Sequence, residues 1–489
     1  MLLSRFRNTN IFIILCWLCL LAQLPAQSDR NTAAGRVQKS IDSILATPVL
    51  SSGFQGVAIA RADTGQYLYK KLATHVFVPA SNNKLLTGSA ALSILGAGYR
   101  YKTVIRSAGE FDRETGIVAG NLEIIGSGDP VLGTTDLIAL AKQAASAGVK
   151  TVKGAVVCDV TRFDSQPLGS SWEWDDEPYY YAAQISALNV DRNVATVVVT
   201  GGRQEGDMPT ISVSPLQDIY KIKCAATTAQ TSDHKAHLEI TRERAANVLV
   251  ISGKVPPGTS NSPEQITFEK PEEIALRVFT EALQKAGVTV EGGDIANTGK
   301  AGVTIVEHMS PPLSQILSLM NKPSDNMIAE CLLKTVGAAN GGVGTAGAGG
   351  SGAQAARKWL LSIGLVGGQL NQVDGSGMAR QNAVSPDNLV RLLLYWRKRP
   401  EYSVWYNSLP VAGIDGTLKS RMKGTPAYNN CHAKTGSLSQ VSCLSGYVTS
   451  ADGVPLVFSI MTNAQIGSVR PCMAAQNSIV EMLASLKLR

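Results

Sequence analysis

Charge is scarce in this chain of 489 residues: Asp, Glu, Lys and Arg make up 17%, aromatic residues 6%, and there are five histidines. Low charge beside 44% hydrophobic residues excludes wholesale disorder, since ample apolar surface is there to bury. The formal net charge of +7 is spread along the chain without a basic run, which argues against a nucleic-acid partner. No His-Glu-x-x-His occurs, and no Gly-x-Ser-x-Gly, so neither a zinc-peptidase helix nor a nucleophile elbow is present. His234-x-x-His237 lies beside a polar turn and reads as a solvated loop rather than a metal site.

The longest apolar run, "IFIILCWLCLLAQLPA", follows Arg5 and Arg7 and ends in small residues after Gln23 and Pro25. It is short for a membrane span and has the three parts of an export signal, with cleavage expected after Ala26. Cys16 and Cys19 fall inside it, so they form no redox or zinc motif. Six cysteines remain: Cys158, Cys224, Cys331, Cys431, Cys443 and Cys472. An exported protein can pair them, yet several sit in apolar runs that suit buried thiols.

The remaining length allows two or three domains. "GVAIARADTGQYLYKK" reads as strand, turn, strand. "VPASNNKLLTGSAALSILG" reads as a helix from about Pro79 to Gly96, with Ser81 and Lys84 on one face of its first turn. From Tyr101 to about Lys300, short β-rich runs alternate with turns around two helical stretches, "TTDLIALAKQAASAGV" and "PEEIALRVFTEALQKAGV". The expected division is a first part, 27–100, completed by 303–489. An inserted domain occupies 101–196 and 263–302, with a nested β-rich domain at 197–262. Pro323 should split "LSQILSLMNKPSDNMIAECLLKTVG" into two helices with Ser324-Asp325-Asn326 at the junction. Gly337–Ala353, rich in glycine and alanine, reads as a mobile surface loop. "HAKTGSLSQVSCLSGYV" reads as two antiparallel strands, and "SIVEMLASLKL" as a closing helix.

Three motifs carry the chemistry. A serine hydroxyl is a poor nucleophile, and a lysine is ordinarily protonated up to about 10.4. In Ser81-Asn82-Asn83-Lys84 each could remedy the other's defect, provided Lys84 is desolvated or lies near another cation. Ser324-Asp325-Asn326 and Lys434-Thr435-Gly436 follow in order. Each alone has a bland explanation (a solvated helix face, a turn, a strand lysine); the ordered trio does not.

With "LEIIGSGDP", "WEWDDEPYYYAAQISALNVDRN", "VDGSGMARQNAVSP" and "LPVAGIDGTLKSRMKGTPA", the chain resembles the low-molecular-mass, class C penicillin-binding proteins, the D-alanyl-D-alanine carboxypeptidase/endopeptidase family. The resemblance implies an α/β (α+β) domain of the serine β-lactamase/DD-peptidase kind, an antiparallel sheet flanked by helices and assembled from both ends of the chain, with β-rich insertions. It implies Ser81 as nucleophile, Lys84 as base and Lys434 as the neighbouring cation. Ser324 would pass a proton to the leaving amine, and Asn326 would position Lys84 and meet the substrate amide. Thr435, Gly436 and Ser437 would bind substrate, with backbone N–H groups of Ser81 and Ser437 as the oxyanion hole. Asp176 and Tyr181 match family positions that reach toward the substrate's side chain, although Tyr181 suits an aromatic packing patch equally well. Asp374–Gly377 would line the site as a tight turn. No metal and no cofactor is implied. Peptidoglycan peptides and β-lactams are the expected partners, in the periplasm or on the outer face of the cytoplasmic membrane, and peripheral membrane association stays open. A β-lactamase and a non-catalytic peptidoglycan-binding protein are the rival readings. The long insertion argues against the first and the intact motifs against the second.

Overall fold

The computed structural model describes residues 33–230, 237–292, 302–339 and 341–489. The export segment, Cys16, Cys19 and His234 lie outside them.

Chain ends meet in one sheet. Strand β1 (Phe54–Arg61) turns back through the Asp-Thr-Gly corner into β2 (Tyr67–Lys71). Its other edge pairs with a C-terminal strand, in register from Phe54↔Asn463 to Arg61↔Leu456. Calling the C-terminal strands β3 (His432–Leu438), β4 (Val441–Thr449) and β5 (Pro455–Asn463), the antiparallel order is β2-β1-β5-β4-β3. Eight of the nine residues of β4 are buried without alternation, as in a strand covered on both faces, and its buried Ser442 and Ser445 are hydrogen-bonded to Gln476 and Ser459.

Two helical layers supply that cover. Helix α1 (Ala33–Leu45) packs on one face with a C-terminal helix, burying Val37, Ile41, Ile479, Val480 and Leu483 against Leu444 and Phe458. On the other face lie α2 (Asn83–Leu95), α3 (Leu313–Asn321), α4 (Asn326–Ala338) and α5 (Pro386–Arg397), with Leu85, Ile316, Leu317, Leu389 and Trp396 in a common core. The C-terminal helix is α6 (Arg470–Ser485). Every residue of α2 from Asn83 to Leu92 is buried, so this helix has no solvated stripe. The expected single helix from Pro79 is two pieces, a 3-10 turn at Ala80–Asn82 and then α2, which ends at Gly96 with φ 85°. Pro323, which has no backbone N–H to continue a helix, falls between the end of α3 at Asn321 and the start of α4 at Asn326.

Residues between α2 and α3 leave and return side by side, because Lys102–Ser107 pairs antiparallel with Thr304–Met309. Between them a separate core forms around helices Thr134–Ser146 and Pro271–Lys285. This segment is fastened back onto α4. Phe163, Ile185 and Val194 pack on Met327 and Cys331. Lys334 Nζ, its side chain 3% exposed, donates to Asp164 at 2.6 Å and to the Gln166 carbonyl at 2.7 Å.

The glycine-rich stretch departs from expectation. Gly337 and Ala338 end α4, and Ser351 opens a helix reaching Ser362. Between them Gly344 bridges Phe163, and the Ala346 N–H donates to Asp164. Glycine is required there by close approach: a Cβ on Gly344 would lie 2.2 Å from the Lys334 carbonyl oxygen. The six cysteines described are free thiols.

Lys334→Met should destabilise the protein by about 3 kcal/mol, since it leaves Asp164 without its cation. Adding Asp164→Leu should recover part of that loss. Urea unfolding checks both; a single variant as stable as the parent contradicts the tether.

Candidate active site

Ser81 sits in the 3-10 turn and Lys84 in the first turn of α2, so a short rise separates them. Lys84 Nζ lies 2.9 Å from Ser81 Oγ, 2.5 Å from Asn326 Oδ1 and 2.9 Å from the Ser376 carbonyl oxygen. A neutral amine has two N–H donors and one lone pair. With the donors on Asn326 and Ser376, the lone pair faces the serine hydroxyl and can accept its proton.

Lys84 is fully buried, and burial lowers its pKa to about 8. Asp374, Asp325 and Glu330 pull in the opposite direction. Burial, and then the Lys84 charge, hold the Lys434 pKa well below its ordinary value; the repulsion is mutual, so each amine disfavours the other's charge. Lys434 Nζ donates to Ser324 Oγ at 2.8 Å and to the Thr435 carbonyl at 3.1 Å. It lies on the inward face of β3 with His432, which stacks on Tyr406 at 3.8 Å and is a packing residue.

Ser324 is held with φ 67°, a left-handed conformation unusual for serine. What over-determines it is Asp325, which caps α4 through the Ile328 N–H and pairs with Arg192 at 2.8 Å. Arg192 comes from a turn in which Asp191, Arg192 and Asn193 all have positive φ. Asn326 Nδ2 donates to the Tyr181 carbonyl at 2.8 Å, so its amide is oriented from both ends.

Gly436 lets β3 press on the serine turn: a Cβ there would meet the Pro79 oxygen at 2.5 Å and the Ser81 nitrogen at 3.2 Å. Thr435 Oγ1 is 2.8 Å from Thr417 Oγ1. Ser81, Ser324, Asn326, Thr435 and Ser437 line one cleft of about 870 Å³. Asp176 and Tyr181 line it too, and the Tyr181 hydroxyl donates to Asp176 at 2.9 Å. Burial raises the Asp176 pKa against that bond. Tyr181 also stacks on Tyr179, so it serves both packing and cleft.

Asp374–Gly377 is more than a turn. Asp374 accepts from the Gly377 and Ala379 N–H groups and Asn382 Nδ2, each at 2.7 Å, and from Trp172 Nε1 at 3.0 Å. Glu330, fully buried on α4, accepts from the Gly375 and Ser376 N–H groups. Together they aim the Ser376 carbonyl at Lys84. Burial and then Asp374 push Glu330 up to about 7. Glu330, Trp172, Arg192 and Thr417 were not singled out from sequence. A carboxylate inside the apolar run "NMIAECLL" was the available signal for Glu330.

The sequence pattern of the D-Ala-D-Ala carboxypeptidase 3 (S13) family matches residues 37–486. A D-alanyl-D-alanine carboxypeptidase of Actinomadura sp. (strain R39) is 36% identical over 98% of this chain and 90% of its own. One from Haemophilus influenzae is 28% identical over 78% of this chain and 79% of its own. The crystal structure of penicillin binding protein 4 from H. influenzae shares the fold, with a TM-score of 0.77 at 24% identity over 91% of this chain and 99% of that one.

The acylation rate should climb with pH and level off above about 8, since only the neutral form of Lys84 takes a proton. Glu330→Gln removes a charge that raises Lys84, so the rising limb should move to lower pH. Stopped-flow acylation across pH 6–10 checks this (that range is about two units either side of 8). A flat profile, or a limb moving upward, contradicts the assignment.

Proposed function

The chain belongs to the D-Ala-D-Ala carboxypeptidase 3 (S13) family, and on that premise we propose that it is a serine D-Ala-D-Ala carboxypeptidase and DD-endopeptidase of peptidoglycan stem peptides. Ser81 Oγ attacks the carbonyl of the penultimate D-alanine while Lys84 takes the hydroxyl proton. The C–N bond then breaks, the ester on Ser81 remains, and a proton reaches the leaving amine by way of Ser324, which Lys434 holds. Water releases the shortened peptide, with Lys84 again as base. Backbone N–H groups of Ser81 and Ser437 receive the oxyanion, a contribution of about 3 kcal/mol each. Thr435 and Gly436 present the edge of β3 to the substrate backbone, and Asp176 with Tyr181 meets its side chain.

The observation carrying this reading is the 2.9 Å contact between Ser81 Oγ and an amine whose other two neighbours are both acceptors. A cleft of about 870 Å³ is roomy for a dipeptide end and supports action on cross-links as well as free termini. β-Lactams, which mimic the D-Ala-D-Ala backbone, acylate the same serine. The H. influenzae protein of this fold has been crystallised with a β-lactam. Residues 27–100 and 303–489 form the catalytic domain and 101–302 the insertions. Residues 1–26 direct export to the periplasm or the outer membrane face. Among the described residues no helix is long and apolar enough to cross a membrane.

Ser81→Ala should keep the fold and abolish both D-alanine release from a pentapeptide and cleavage of a cross-linked dimer. Chromatography of defined muropeptides reads both. Release at the parental rate ends the assignment, and rapid turnover of penicillin by the parent would favour a β-lactamase.

A further inference from the structure

Three consecutive cations, Arg397, Lys398 and Arg399, stand exposed at the C-terminal end of α5. Among the described residues none of them pairs with a carboxylate or donates a side-chain hydrogen bond, and Glu401, the nearest acid along the chain, is no exception. Arg391, one turn and a half earlier, differs, because Asp387 holds it at 2.7 Å. One cation at a helix C-terminus answers the helix dipole. Three in succession repel one another and exceed that need.

In sequence the triplet is too short to mark a polyanion-binding run. The fold gives it an aromatic floor. Arg397 lies over the Tyr402 ring at 4.7 Å, and Arg399 over the Tyr395 ring at 4.3 Å. The rings continue on both sides: Tyr395 meets Trp359 edge-on at 5.8 Å, and Tyr402 meets Tyr406 at 5.3 Å. All four rings are half-buried. Lys358, exposed on the helix that carries Trp359, adds a fourth cation. A guanidinium held over a ring face keeps its N–H fork for oxygen acceptors. This surface stands away from the chemistry. Tyr406 stacks on His432, the first residue of β3, whereas Ser437 and Leu438 at the other end of that strand line the cleft.

We propose that residues 397–399, with the rings beneath them, form a docking surface for an anionic phospholipid bilayer. The cations meet headgroup phosphates. Tyrosine and tryptophan, with apolar bodies and polar tips, settle at the boundary between headgroups and acyl chains. A soluble polyanion would call for the cations but not for the rings, and the rings favour lipid. The contact is peripheral and leaves the cleft clear of the bilayer. The export reading says which bilayer the surface would meet; the chemistry at Ser81 does not enter.

The test is sedimentation of the full chain with vesicles of phosphatidylglycerol and phosphatidylcholine, beside vesicles of phosphatidylcholine alone. The parent should bind the anionic vesicles and lose them at about 1 M salt, where charges are screened within about 3 Å. Lys398→Gln with Arg399→Gln should lower that binding roughly 30-fold, about fivefold for each charge. The N-terminal apolar segment is common to both proteins and produces no difference between them. Cleavage of a soluble peptide ending in D-Ala-D-Ala should be the same in both, so a parent that cleaves nothing refutes the DD-peptidase reading and leaves the vesicle result standing. Should the double variant not fold, Lys398→Glu alone should still weaken binding. Equal binding to both kinds of vesicle, binding that survives the salt, or a folded variant that binds like the parent overturns the proposal. So does retention on a phosphate-rich wall polymer without vesicle binding, or self-association that the double variant abolishes while vesicle binding stays.

Discussion

Two amines, Lys84 and Lys434, are sealed from water at one site, and both cannot comfortably be ammonium ions. Burial disfavours each charge, and each charge disfavours the other. Asp374, Asp325 and Glu330 restore enough negative potential to keep Lys84 near 8 rather than far below. That balance makes Lys84 partly neutral at working pH and gives Ser81 a base. Without the carboxylates the amine would be a weak base, and without burial it would carry its proton permanently. Sealing the site and charging it are one design.

The fold exists to hold that balance in place. Serine and its lysine come from the N-terminal end of the sheet domain, Ser324 and Asn326 from a helix junction, and Lys434 from an edge strand. The sheet joins the first and last strands of the chain, so nucleophile and oxyanion strand are registered through β1, β5 and β4. The segment between α2 and α3 is more than decoration. It supplies Arg192 to Asp325, the Tyr181 carbonyl to Asn326 and Trp172 to Asp374, so each acts on a group that touches or orients the chemistry.

The parts legible in sequence were those encoded locally. Strand pairs, the Pro323 break, the Gly96 stop and the three motifs depend on near neighbours, and the sheet, helices and clustered motifs follow them. What escaped was set by distant partners. Glu330 and Lys334 stand four apart on α4, spacing that ordinarily marks a solvated pair, yet both are buried and turn to separate partners. The glycine stretch after α4 has a loop's composition, and residues 162–164, far back in the chain, help pin it: the Gly344 N–H donates to the Arg162 carbonyl and the Ala346 N–H to Asp164. The mutual effect of the two lysines is legible from the motifs, whereas the carboxylates that raise Lys84, Asp374 and Glu330 among them, are brought in by distant segments.

The most direct measurement is the titration of Lys84 itself, followed by the ¹³Cε and ¹⁵Nζ shifts of labelled lysine in the resting protein. The account predicts one buried lysine changing protonation near 8, its shifts altered when Ser81 is acylated. A Lys84 resonance that stays protonated to above about 10, as a free lysine does, would contradict it.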